Sequence, residues 1–178
     1  MRGIGCRRTA VTDARHVPYS LGGGVVAFEV QQNSDVTFSL YDWDRVDAKT
    51  GQPRALQIDQ ALACIDFAEG GAAGRVTRMM EATAPVERES LFPCEHFWLW
   101  RLRGPSPFAV GAAGVPRVLA CIEGAGQVEH EGATYAVAKG DVLFLPAVVG
   151  VCAFLPSSAV SLLEIGIPEM TTIQRVEE

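Results

Sequence analysis

The sequence predicts a mainly β fold of the jelly-roll class, with one short helix and two β units. Three observations carry that reading. From Arg117 onward, short apolar-rich runs recur at near-even spacing: VLACI, QVEH, TYAV, VLFLP, VCAFL and VSLLEIGI. Turn signals separate them at Glu123-Gly124-Ala125-Gly126, His130-Glu131-Gly132, Lys139-Gly140-Asp141 and Pro156-Ser157-Ser158. Such spacing indicates a β-sandwich or barrel, of which the jelly roll fits best. Earlier in the chain, Val26, Phe28 and Val30 alternate with Ala27, Glu29 and Gln31, and Val36, Phe38 and Leu40 alternate with Thr37, Ser39 and Tyr41. Residues two apart share a strand face, so this is a strand pair with one apolar and one polar face. Only Leu56–Phe67 follows a helical period, through Leu56, Ile58, Ala61, Leu62 and Ile65.

In chain order, residues 1–24 form an irregular leader ending in Gly22-Gly23-Gly24, a tight turn before a strand. No helix start follows these glycines, so they are not a phosphate loop. Residues 25–67 hold the strand pair, a loop over Asp47–Pro53 and the helix, whose first turn carries Asp59 and whose end is set by Gly70-Gly71. Residues 68–90 read as a charged connector, with a soft boundary over Arg75–Ser90. Residues 91–168 form the second β unit, opening with a strand over His96–Arg103 and a short one over Phe108–Gly111, and 169–178 are a polar tail. Trp98 and Trp100 alternate on the first of these strands, which suits core burial better than a sugar-stacking platform.

Composition narrows the function. The 178 residues carry a formal net charge of -6, against the basic face a nucleic-acid binder needs, although Arg2, Arg7, Arg8 and Arg15 make the start locally basic. No apolar run is long enough to span a bilayer, and the basic start lacks the apolar core of a signal peptide. Cys6, Cys64, Cys94, Cys121 and Cys152 are widely spaced and match no zinc-knuckle pattern, which suits reduced thiols in a cytoplasmic protein.

Two resemblances follow from the motifs. EGAGQVEHEGATYAVAKGDVLFLPA, with Gly140-Asp141 leading to Pro146, resembles a cupin half-barrel. Metal-binding cupins place a histidine where this chain has Val151, so the unit resembles a cupin without a metal site. EVQQNSDVTFSLYDWDR, PRALQIDQALACIDF and LFPCEHFWLWRL together resemble the C-terminal half of class I mannose-6-phosphate isomerases, from Leu21 to about Pro168. On this resemblance residues 25–67 are the C-terminal part of the catalytic cupin domain, an incomplete first barrel, and 91–168 a C-terminal cupin-like unit.

That family interconverts mannose 6-phosphate and fructose 6-phosphate with one zinc ion. The metal polarises the sugar's oxygens, a base moves a proton through an enediol, and cationic side chains hold the phosphate. Carried onto this sequence, the resemblance implies Glu29 and Arg45 as catalytic residues and Gln31, Asn33, Ser34 and Asp35 as substrate-binding ones. Glu29 competes with a role as a rim carboxylate paired to an arginine, and Arg45 with a surface ion pair to Asp42 or Asp44. At the family's zinc-histidine position the chain reads Val17-Pro18-Tyr19-Ser20, so either Tyr19 stands there or His16 is its displaced neighbour. Ser39 stands where the family has an arginine. The remaining zinc ligands belong to the family's N-terminal half, while a catalytic zinc needs about three protein ligands. His96 and His130 read as structural or exposed, His130 in a solvated hairpin between Glu129 and Glu131.

The expectation is therefore an isomerase-like protein, a truncated form with weak or no activity alone, not retaining zinc by itself. Two alternatives stand beside it: a metal-free cupin module that binds sugar phosphate, and a subunit completing its barrel with an N-terminal half in trans.

Overall fold

The structure, a computed structural model, describes Gly24 and residues 26–31, 36–65, 67, 79–94 and 96–168. They divide into two compact units, one before and one after residue 75.

The first unit departs from the expected strand pair. Residues 26–31 and 36–39 join no β-ladder. Their alternating apolar residues face solvent instead: Val26 is 97% and Val36 64% exposed, and Phe28 and Phe38 are also exposed. The turn expected at 32–35 lies outside the described residues. A lone two-stranded ribbon is marginal in water, and alternation specifies a strand only where something covers its apolar face. The helix α1 is also shorter than its period suggests, running Ile58–Cys64 with Gln57 as N-cap and an extended Ile65 after it. Only Ala61 is buried, while Ile58 and Leu62 are about half exposed. Gln57 replaces a conventional cap with a stitch. Its amide donates to the Ser39 carbonyl (3.0 Å), and its Oε1 accepts from the Ser39 amide (3.1 Å). The helix start is thus tied to the extended segment 36–39.

The described residues of the second unit form ten strands: β1 (Met79–Thr83), β2 (Val86–Pro93), β3 (Trp98–Gly104), β4 (Phe108–Gly111), β5 (Arg117–Glu123), β6 (Ala125–His130), β7 (Ala133–Ala138), β8 (Val142–Leu145), β9 (Val151–Pro156) and β10 (Val160–Gly166). They form a six-stranded sheet ordered β1-β2-β3-β10-β5-β8 and a four-stranded sheet ordered β4-β9-β6-β7. Strands β4 to β10 fall where the alternation and turn residues put them. The connector does not: most of its second half pairs as the hairpin β1–β2. Strand β2 reads VERESLFP, too charged for a hydrophobic pattern, because its charges are satisfied across the sheet. Glu89 stands opposite Arg101 and Glu87 opposite Arg103, and both pairs are ion-paired.

Core residues come from both sheets. Leu102, Leu119 and Leu162 of the six-stranded sheet meet Val110, Val128 and Phe154 of the other, all essentially inaccessible to solvent. Phe108 stacks on Phe154 with centroids 5.3 Å apart. Each such side chain contributes about 1.5–3 kcal/mol through burial. The Gly140-Asp141 motif has a clear structural purpose. Gly140 adopts φ +99°, which a side chain would strain. Its amide then reaches the Cys121 carbonyl (2.8 Å), and the Asp141 carboxylate accepts the Ala138 amide (2.8 Å). The turn between β7 and β8 is thereby pinned to β5.

Candidate functional site

In the first unit the charged residues are arranged by two consecutive turns. Trp43 and Asp44 take left-handed φ of 55° and 52°, and the Arg45 amide closes the turn on the Asp42 carbonyl (3.1 Å). The Arg45 guanidinium folds back on the same residue. Its Nε donates to the Asp42 carbonyl (3.3 Å) and its Nη2 pairs with the Asp42 carboxylate. The Tyr41 hydroxyl donates to Asp44 (2.9 Å), and this bond raises the phenol pKa. In the next turn the Asp47 carboxylate accepts the Lys49 and Thr50 amides, each at 2.8 Å, and these bonds hold its pKa below the ordinary value. A bridge between Val46 and Pro53 closes the loop.

The result is an open depression of about 410 Å³ lined by Asp42, Arg45, Val46, Asp47 and Arg54. Arg45 is held by Asp42, while Arg54 makes no ion pair among the described residues. Two guanidiniums on one rim can grip a phosphate through charge-assisted hydrogen bonds.

Of the other residues singled out in the sequence, Glu29 and Gln31 are exposed. Glu29 is not bonded to Arg45, whose partner is Asp42. His16, Tyr19, Asn33, Ser34 and Asp35 lie outside the described residues. Arg54 went unnoticed in the sequence because it follows Pro53 in a polar loop with no pattern to mark it.

The second unit holds a polar group that periodicity also missed. Glu164 lies on the core-facing side of β10, only 4% exposed, and its Oε1 accepts the Gly111 amide (2.9 Å) across the two sheets. Burial raises its carboxyl pKa, an effect opposed by the Gly111 bond and by the charges of Arg88 and Arg117. Arg117 is itself buried and stacks on the Trp98 ring, 4.6 Å from its centroid. The one sequence clue was a single acid inside the apolar run VSLLEIGI. His130 is less solvated than its acidic neighbours suggest, being only a quarter exposed. Its Nδ1 is 3.8 Å from the buried Cys152 thiol and its Nε2 3.9 Å from Glu131.

Among the described residues no three His, Cys, Asp or Glu side chains converge as a metal site. Val151 opens β9. Cys94, Cys121 and Cys152 are free thiols. No helix among the described residues is long and apolar enough to cross a membrane.

Two antiparallel sheets around one core, with the Gly140-Asp141 turn, define a protein of cupin-like, mainly β fold. Sequence comparison adds particular relatives. The chain is 31% identical over 134 residues to the mannose-6-phosphate isomerase ManA of Bacillus subtilis, covering 74% of this chain and 41% of that protein. It is 30% identical over 130 residues to the mannose-6-phosphate isomerase of Streptococcus mutans, covering 72% and 39%. The crystal structure of the mannose 6-phosphate isomerase from Bacillus subtilis superposes with a TM-score of 0.62 at 24% identity, over 76% of this chain and 41% of that one. No protein-family model matches. The chain is similar in sequence and fold to mannose-6-phosphate isomerases. It spans about 40% of the length of the curated relatives it matches.

Proposed function

We propose that this protein binds mannose 6-phosphate through the Arg45–Arg54 depression and has weak or no isomerase activity alone. The observation that carries this reading is the similarity to mannose-6-phosphate isomerases, which runs over 134 residues yet takes in only 41% of ManA. In this reading Arg45 and Arg54 meet the phosphate, and Glu29, Gln31, Asn33, Ser34 and Asp35 contact the sugar. Glu29 is the residue that would move a proton between adjacent carbons once the remaining groups are supplied. Zinc is not retained by this chain alone, and no step is assigned to it. The reduced cysteines suit a cytoplasmic setting.

The test pairs a coupled assay for fructose 6-phosphate with calorimetric titration of mannose 6-phosphate. Turnover is expected at background, with or without added zinc. Binding is expected to weaken about tenfold in Arg45→Ala, the loss of one charge-assisted contact. Robust turnover by the purified chain would overturn the claim of inactivity, and binding indifferent to Arg45→Ala would overturn the phosphate site.

A second reading is favoured by the exposure of Val26, Phe28, Val36 and Phe38. A separate chain equivalent to the isomerases' N-terminal half would cover that face, complete the barrel and restore activity in trans.

A further inference from the structure

We propose that the outer face of the six-stranded sheet carries a second binding site, at Glu87, Arg103 and Ser161, for a neutral polyhydroxylated molecule such as a free sugar or polyol. The register sets Glu87 opposite Arg103, Arg103 opposite Ser161 and Ser161 opposite Glu123, a row across β2, β3, β10 and β5. Leu102 and Leu162, the next residues along β3 and β10, point into the core, so this row points away from it. The row lines a depression of about 350 Å³ closed by Pro85, Pro105 and Ala159.

Two features make this depression a site rather than a surface irregularity. Ser161 is 1% exposed, yet its hydroxyl has no hydrogen-bond partner. A buried hydroxyl left unpaired is costly, and a ligand hydroxyl would relieve that cost. Beside it the Arg103 guanidinium pairs with the Glu87 carboxylate at 3.1 Å, while both side chains stay largely exposed (40% and 59%). Arg103 stands opposite Ser161 in register, and both line the depression.

The chemistry selects the ligand class. The guanidinium offers donors, the carboxylate acceptors, and the serine hydroxyl either. With Glu123 also lining the depression the carboxylates outnumber the guanidinium, and an anion would besides have to displace Glu87 from Arg103. Adjacent hydroxyls on a sugar satisfy all three groups without breaking that pair. No aromatic ring lines the depression to add stacking, which sets affinity in the millimolar range. The site is distinct from the Arg45–Arg54 depression and does not depend on it.

The test is a two-dimensional amide NMR titration of the full chain with millimolar D-mannose. Shifts are expected at Gly104, Val160 and Ser161. In Ser161→Ala, which deletes an unpaired buried hydroxyl and keeps the fold, binding is expected to weaken about tenfold. In Glu87→Gln, an exposed substitution, it weakens to a similar extent. An absence of shifts, shifts confined to residues 41–54, or identical titrations of wild type and Ser161→Ala would each overturn the proposal. So would a crystal structure grown with D-mannose in which a water alone satisfies Ser161.

Discussion

Glu164 shows how one residue ties local chemistry to the stability of the second unit. Its carboxyl pKa is raised by burial, so the folded state binds more protons than the unfolded state just above the ordinary carboxylate range. Stability therefore falls as pH rises through that interval, the reverse of a salt-bridged carboxylate. Glu164→Gln keeps an acceptor for the Gly111 amide and removes the buried charge. Urea unfolding at pH 5 and pH 8 is expected to show this variant at least as stable as wild type at the higher pH, with a flatter pH dependence. Glu164→Ala leaves the Gly111 amide without its acceptor and is expected to lose about 1–3 kcal/mol at both. Arg45 illustrates the opposite situation. Its ion pair with Asp42 lies at the surface, where such pairs contribute about 0–1 kcal/mol, so an effect of Arg45→Ala on ligand binding is read against a nearly silent background in stability.

At the scale of elements, the sequence made some strands legible and hid others for definable reasons. Strands β4 to β10 were readable because apolar alternation and glycine turns coincide: Gly124, Gly132 and Gly140 all adopt positive φ at their boundaries. Strands β1 and β2 were not readable. In β2 the buried partner of Glu89 is Arg101, about a dozen residues further on, and a hydrophobic pattern cannot report an ion pair that forms only across a sheet. Segments 26–31 and 36–39 failed in the other direction, since their alternation is strong and no ladder forms. In the first unit the Arg45–Asp42 pair is one of the alternatives the sequence offers, whereas no pattern marks Arg54; in the second unit no pattern marks Arg117. Close packing gives a further test. A Cβ at Gly166 would strike the Trp98 indole, the ring on which Arg117 stacks. Gly166→Ala is expected to destabilise the fold by about 1–3 kcal/mol through overpacking, and to shift tryptophan emission to the red.

Across the whole molecule, protection is expected to be uneven. The strands β3, β5 and β10 lie inside the six-stranded sheet with partners on both sides. Hydrogen exchange should be slowest in their amides and fast over 26–31, which lies outside any ladder. Addition of a chain carrying the isomerases' N-terminal half is expected to slow exchange over 26–31 if the barrel is completed in trans. Unchanged exchange there would remove that reading. The exposed Val26, Phe28, Val36 and Phe38 also have a colloidal consequence. With a net charge of -6, two copies of the chain repel one another at low salt. At physiological ionic strength the screening length falls to about 8 Å, and that repulsion decays within a side chain or two. Val26 and Val36 then sit on a surface whose stickiness is governed by salt, so the shelf life of the purified protein depends on the buffer as much as on the fold.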